Sequence, residues 1–221
     1  MRRVLVLRPE PGASATIEQA RKRGIEAIAV PLFEVEPLAW IAPDPAQFDG
    51  VLLTSANAAR LGGDGLQELR TLPVYAVGEA TAQAAREAGF AIAATGQRGV
   101  EQLLDAIESQ LRLLHLCGVD RQPPRDAQQH ITNIPVYRAN PILQPDLGAT
   151  EGSVALIHSP RAGRRFAELA GDKAGVTIAA ISPAAAEAAG SGWQCVEVAD
   201  VPSDDALLAL AARLCNKPVA Q

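Results

Sequence analysis

Residues 50–60 read GVLLTSANAAR, and residues 154–164 read VALIHSPRAGR. Each is a short apolar run, a small polar corner and then a helix-forming stretch, and the two lie at a spacing of about 104 residues. At that spacing Val77-Gly78 falls on Ile181-Ser182, Leu103-Leu104 on Leu207-Leu208, and Pro31 and Pro37 on Pro135 and Pro141. One register kept over separate segments marks an internal repeat. It predicts two copies of one α/β unit, with a cleft where they face each other, a usual place for a ligand.

Working outward, apolar runs rich in Val, Ile and Leu alternate with alanine-rich helical stretches along the whole chain. Strands are predicted at 4–7, 26–33, 50–53, 74–77, 90–94, 111–116, 131–138, 154–158, 177–181 and 194–198. Helices are predicted at 14–23, 56–61, 80–88, 99–110, 160–169, 184–189 and 203–214, with left-handed caps at Gly24, Gly89 and Gly171. Unbroken apolar strands suit parallel sheets covered on both faces, and the alternation reads as doubly wound α/β architecture.

The chain has 221 residues and a formal net charge of -5. That length allows one large domain or two of about a hundred residues. With no basic block, nucleic acid is disfavoured as a partner. The start MRRVLVLRPEPG carries an apolar run too short for a signal segment, and no run approaches the roughly 18 residues of a membrane span. Cys117, Cys195 and Cys215 are scattered and odd in number, which fits a reducing compartment and offers neither a dithiol nor a zinc site. The expectation is a cytoplasmic protein. The prolines divide the chain unequally. Pro31 to Pro37 and Pro135 to Pro141 read as matching extended connectors, since proline favours strand edges and boundaries. That places one unit at 35–138 and builds the other from 1–34 with 139–221. A simple cut near residue 105 remains the alternative.

Four strands run through a small polar residue into a helix, at Thr54-Ser55-Ala56, Val77-Gly78 with Thr81, His158-Ser159 and Ile181-Ser182. Ligands of open α/β sheets lie beyond the carboxyl ends of the strands, and helix starts attract anions. Helix capping alone would account for any one of these corners; their repetition points to several carboxylates or phosphates. His115, His130 and His158 have no metal spacing, and nucleotide fingerprints, nucleophile elbows and HExxH are absent. Tyr137 stands out, because it occupies the second connector where its repeat partner is Phe33.

Together these pieces resemble the uroporphyrinogen-III synthase family. Residues 6–9 (VLRP) are similar to its opening strand, 50–57 (GVLLTSAN) to its Thr-Ser strand end, and 75–82 (YAVGEATA) to its most recognisable motif. Residues 136–138 (VYR), 157–160 (IHSP) and 202–208 (PSDDALL) resemble its second connector, second Ser-Pro corner and last helix entry. The resemblance implies two flavodoxin- or Rossmann-like parallel-sheet lobes joined by a two-stranded connector. It implies a lyase that closes hydroxymethylbilane to uroporphyrinogen III, losing water and inverting ring D through a spiro intermediate. No metal or organic cofactor is implied; the partner is a linear tetrapyrrole, with no nucleic acid or membrane, and a monomer is compatible with it. Tyr137 would assist departure of the hydroxyl. Thr54, Ser55, Ala56, Gly78, Thr81, Ser159 and Ser182 would line the substrate site, with Arg8 and Arg161 as cationic contacts. Two departures stand out. Ala184 and Ala185 lack the family's hydroxyl, and Cys117 stands where arginine is common. The other reading is a non-catalytic two-lobe protein that binds or senses anions or tetrapyrroles.

Overall fold

The computed structural model describes residues 2–97, 99–121, 124 and 127–216. The chain begins with β1 (Val4–Val6), α1 (Gly12–Lys22), β2 (Ala27–Ala29) and β3 (Phe33–Pro37). There follow β4 (Gly50–Leu53), α2 (Ala56–Leu61), α3 (Gly65–Glu68), β5 (Val74–Val77), α4 (Glu79–Glu87), β6 (Ile92–Gly96), α5 (Val100–Asp105), β7 (Arg112–Gly118) and β8 (His130–Pro141). The last part holds β9 (Val154–Ile157), α6 (Pro160–Leu169), β10 (Thr177–Ala180), α7 (Pro183–Ala189), β11 (Cys195–Val198) and α8 (Asp204–Asn216).

These elements form two compact units, one of residues 1–34 with 141–221 and one of residues 35–140. The first unit carries a five-stranded sheet in the order β11-β10-β9-β1-β2, parallel throughout. Counted along the chain this is the flavodoxin-like 2-1-3-4-5 order. The second unit carries the order β3-β8-β7-β4-β5-β6, with β4 to β8 parallel. Strand β3 runs antiparallel to β8, as the bonds from Leu38 N to Val136 O and from Ile142 N to Leu32 O require. The repeat is visible in the elements. Strands β4 and β9 begin 104 residues apart, as do helices α2 and α6, α4 and α7, and α5 and α8. Strands β1 and β2 fill the sheet positions of β7 and β8, so the units are circular permutations of one order.

The central strands are apolar on both faces because helices cover both. Strands β4, β9 and β10 are buried along their whole lengths. In the first unit Leu207, Leu208, Leu210, Ala211 and Leu214 of α8 pack on Val4, Val6, Val154 and Leu156. In the second, Ala82, Ala84 and Ala85 of α4 lie in one core with Val51, Leu53, Val74 and Ala76. Alanine here lets helix and sheet approach closely.

Several expected elements changed. The single strand at 26–33 is split at Pro31, which has no N–H for the ladder, although Val30 and Leu32 still donate to Val6 and Leu7. The helix expected over 99–110 stops at Asp105. There the side chain of Gln129 donates to the carbonyls of Leu104 and Glu108, replacing further helical bonds. Gly24 and Gly89 take the left-handed conformation, but Gly171 does not, because α6 ends through an extended Ala170. Pro135 is not at a sheet edge, since β8 lies between β3 and β7.

Candidate active site

Pro135 sets the geometry of the second unit's strand ends. Strands β7 and β8 keep one register from Arg112 opposite His130 to Cys117 opposite Pro135, and then it slips, so that Gly118 faces Tyr137. Proline inside a sheet is accommodated at such irregularities. The slip lays the Tyr137 ring over Gly118, where a Cβ would come within 2.9 Å of Cζ and 3.1 Å of the hydroxyl oxygen. Only a residue without a side chain lets the phenol lie there. Burial, opposed by the neighbouring Ser55 hydroxyl, raises the phenol above its ordinary pKa. It is therefore protonated at neutral pH and able to donate. Ser55 caps α2 by accepting from Asn57 N at 3.2 Å. Ser55 thus stands between the start of α2 and the Tyr137 phenol.

A polar chain occupies the other face of the same strand ends. His115 is 1% exposed and stands opposite Asn133 in register. Its Nδ1 lies 2.9 Å from Asn133 Oδ1, and its Nε2 lies 3.0 Å from Thr54 Oγ1. Burial pushes the imidazole pKa down, against the raising effect of the Asn133 bond. With the Asn133 oxygen placed at Nδ1, the hydrogen-bond pattern assigns the neutral ring's proton to Nδ1.

The matching corner of the first unit is built differently. His158, the repeat partner of Thr54, has a side chain only 7% exposed and brings Nε2 to 3.2 Å from Asp204 Oδ1, off the ring N–H direction. Arg8 Nη1 lies 2.7 Å from Asp204 Oδ2, and the Thr16 hydroxyl 3.0 Å from it. Burial would raise the Asp204 carboxyl, but His158, Arg8 and Thr16 outweigh it and hold it at about 2. His158 itself is pushed down by burial. These contacts tie the ends of β1 and β9 to α1 and α8.

The expected residues therefore separate into groups. Thr54, Ser55 and Ala56 form one corner with Tyr137. Gly78 has φ 84° and its N–H is already bonded to Gly96 O at 2.7 Å. Thr81, in the first turn of α4, is 5% exposed. Ser159 and Ser182 cap α6 and α7 through Ala162 N and Ala185 N. Ala185 is buried like Thr81, its repeat partner, while Ala184 is exposed. Arg8 is engaged by Asp204, and Arg161 stacks over the Phe33 ring at 4.4 Å. Cys117 is buried, its thiol pKa raised by desolvation, with Sγ 3.6 Å from Ile134 O. Sequence reasoning missed Gly118, Asn133, Asp204 and the role of His115. Among the described residues no group of three or more His, Cys, Asp or Glu could hold a metal ion. None of the helices there is long and apolar enough to cross a membrane.

Fold and strand ends together define a protein of two permuted parallel α/β units with a phenol held at a strand end. The family model described as uroporphyrinogen-III synthase HemD matches residues 14–209. The chain belongs to the uroporphyrinogen-III synthase family, whose members are lyases of tetrapyrrole and haem biosynthesis. Its fold is similar to that of uroporphyrinogen-III synthetase from Helicobacter pylori 26695, at 20% identity and a TM-score of 0.66 over 97% of this chain and 100% of that one. A mutant uroporphyrinogen III synthase from the extremely thermophilic bacterium Thermus thermophilus is also similar, at 19% identity and a TM-score of 0.54 over 99% of this chain and 100% of that one. No curated protein sequence matches the chain.

Proposed function

We propose that the chain converts hydroxymethylbilane to uroporphyrinogen III as a cofactor-free hydro-lyase, with Tyr137 at its reacting centre. The observation that carries this reading is the Tyr137 phenol, held over Gly118 beside Ser55. In the reaction the C–O bond of the ring A hydroxymethyl group breaks and water leaves. Electrons from the pyrrole nitrogen fill the vacated position. The substituted carbon of ring D then attacks. The spiro intermediate reopens by breaking that carbon's older bond to the methylene of ring C. It recloses at the free α-carbon of ring D, with the ring inverted, and the proton released there balances the one that leaves with the hydroxyl as water. A phenol that donates to the departing hydroxyl stabilises the charge growing there. Ser55 donates to the phenol oxygen in turn, and Asn57 N–H supports Ser55. Each donation strengthens the next. The substrate supplies its own electron push, so positioning is the protein's larger contribution.

The boundaries proposed from the prolines, residues 35–138 against 1–34 with 139–221, place Tyr137 and its partners in the second unit. In the first unit, the Ser159 and Ser182 hydroxyls that cap α6 and α7 are proposed as donors to carboxylates. Arg8 and Arg161 are left outside the reacting centre, since Asp204 and Phe33 engage them. The acidic net charge of -5 suits a small-molecule partner over nucleic acid, and we place the protein in the cytoplasm as a monomer. Protein treated with a strong chelator and supplied with hydroxymethylbilane should keep its full rate. A rate restored only by added metal would overturn the cofactor-free reading.

A further inference from the structure

The reading of the strand ends as sites for anions assigns the Thr54 hydroxyl to substrate carboxylates. The geometry around it says otherwise. Asn133 Oδ1 accepts from His115 Nδ1–H at 2.9 Å, which leaves Nε2 as a bare lone pair. That lone pair is 3.0 Å from Thr54 Oγ1, so the threonine proton points at the imidazole. A hydroxyl whose only proton is engaged presents acceptor lone pairs alone. A carboxylate, which also only accepts, finds no partner there.

We infer that His115 is a positioning residue that fixes the Thr54 hydroxyl as an acceptor, and that Thr54 reads a pyrrole N–H of the linear tetrapyrrole. This rests on the reaction proposed above and deepens it. Thr54 follows β4 one residue before Ser55, so a pyrrole held there is anchored at the same strand end, on the face opposite the Tyr137 phenol. The His115 ring is 1% exposed and gripped at both nitrogens, so the hydroxyl cannot turn to donate without breaking a buried bond. Burial keeps the imidazole neutral at the pH of the cytoplasm, which preserves the orientation. The pattern is specific to one unit: the repeat partner of Thr54 is His158, which instead contacts a carboxylate, Asp204.

Two measurements test the assignment. Nitrogen NMR of histidine-labelled protein should show His115 neutral and protonated at Nδ1; a ring protonated at Nε2 would overturn it. In steady-state kinetics with hydroxymethylbilane, Thr54→Val should lower kcat/KM about tenfold, the worth of one hydrogen bond, and Thr54→Ser should recover most of that loss. His115→Phe, which frees the threonine proton, should lose about as much as Thr54→Val, and the double variant no more than either. A carboxylate-donating Thr54 predicts instead that His115→Phe is unimpaired or faster, and that result would overturn the inference. If His115→Phe fails to fold, as judged by circular dichroism, the tautomer and the Thr54 pair decide. A wild-type protein that makes no uroporphyrinogen III would refute the underlying reaction, whereas an active wild type with undiminished Thr54→Val would refute this assignment alone.

Discussion

The phenol of Tyr137 depends on two neighbours, the hydroxyl of Ser55 and the missing side chain of Gly118. Tyr137→Phe keeps the ring and removes the donor, so kcat should fall on the order of 10–100-fold while the thermal midpoint stays near its original value. Unchanged turnover would remove Tyr137 from the mechanism. Gly118→Ala tests the same geometry from below. Its Cβ would meet the tip of the phenol at 2.9 Å, and the tip can swing aside without unfolding the sheet. Turnover should therefore drop about as far as in Tyr137→Phe, with no further loss when the two are combined. Independent, multiplying losses would contradict the shared cause. Tyr137 stands out in the sequence because it breaks the repeat against Phe33. Gly118, Asn133 and the role of His115 do not. Their partnerships come from the pairing of β7 with β8 and from a register slip after Pro135, which no linear spacing displays.

Helices α6 and α7 meet at Gly163, where a Cβ would stand 2.9 Å from Ala185 O and 3.0 Å from Ala189 N. Both are backbone atoms of α7, so the helices must part to admit a side chain. Gly163→Val should destabilise the protein by about 1–3 kcal/mol, measured by denaturant unfolding; an unchanged midpoint would show that the helices shift without cost. Elements with one dominant local signal were legible in the sequence. Strand β4 and helices α2 and α6 have the bounds that their apolar runs and caps predict. Elements shaped by distant side chains were not. The end of α5 is set by Gln129. Helix α3 lies in a Gly-Asp stretch beside Trp40, whose Nε1 donates to Gly62 O at 2.8 Å.

At the scale of the molecule the 104-residue repeat became a pair of circularly permuted sheets, and the prolines, not the midpoint, mark where the chain passes between units. The repeat made the fold legible because it preserves apolar runs and strand-end corners. It hid the site because the units fill equivalent corners with different chemistry, a hydroxyl on a neutral imidazole in one and an arginine-aspartate-histidine cluster in the other. Two buried histidines give the protein a predictable response to acid. His115 and His158 both have folded pKa values lowered from 6.5, so the unfolded chain binds more protons below that pH. Their contribution is fully present above about pH 6.5 and is lost as pH falls, by at most about 1.4 kcal/mol per pH unit for each. Unfolding free energy should be flat between about pH 7 and 8 and decline from about 6.5 toward 5; a flat profile down to that acid limit would contradict the assignment. The central claim is the reaction itself, and the isomer ratio measures it directly. With fresh hydroxymethylbilane, purified protein should yield uroporphyrinogen III in large excess over isomer I. Isomer I alone, the product of spontaneous closure, would contradict it.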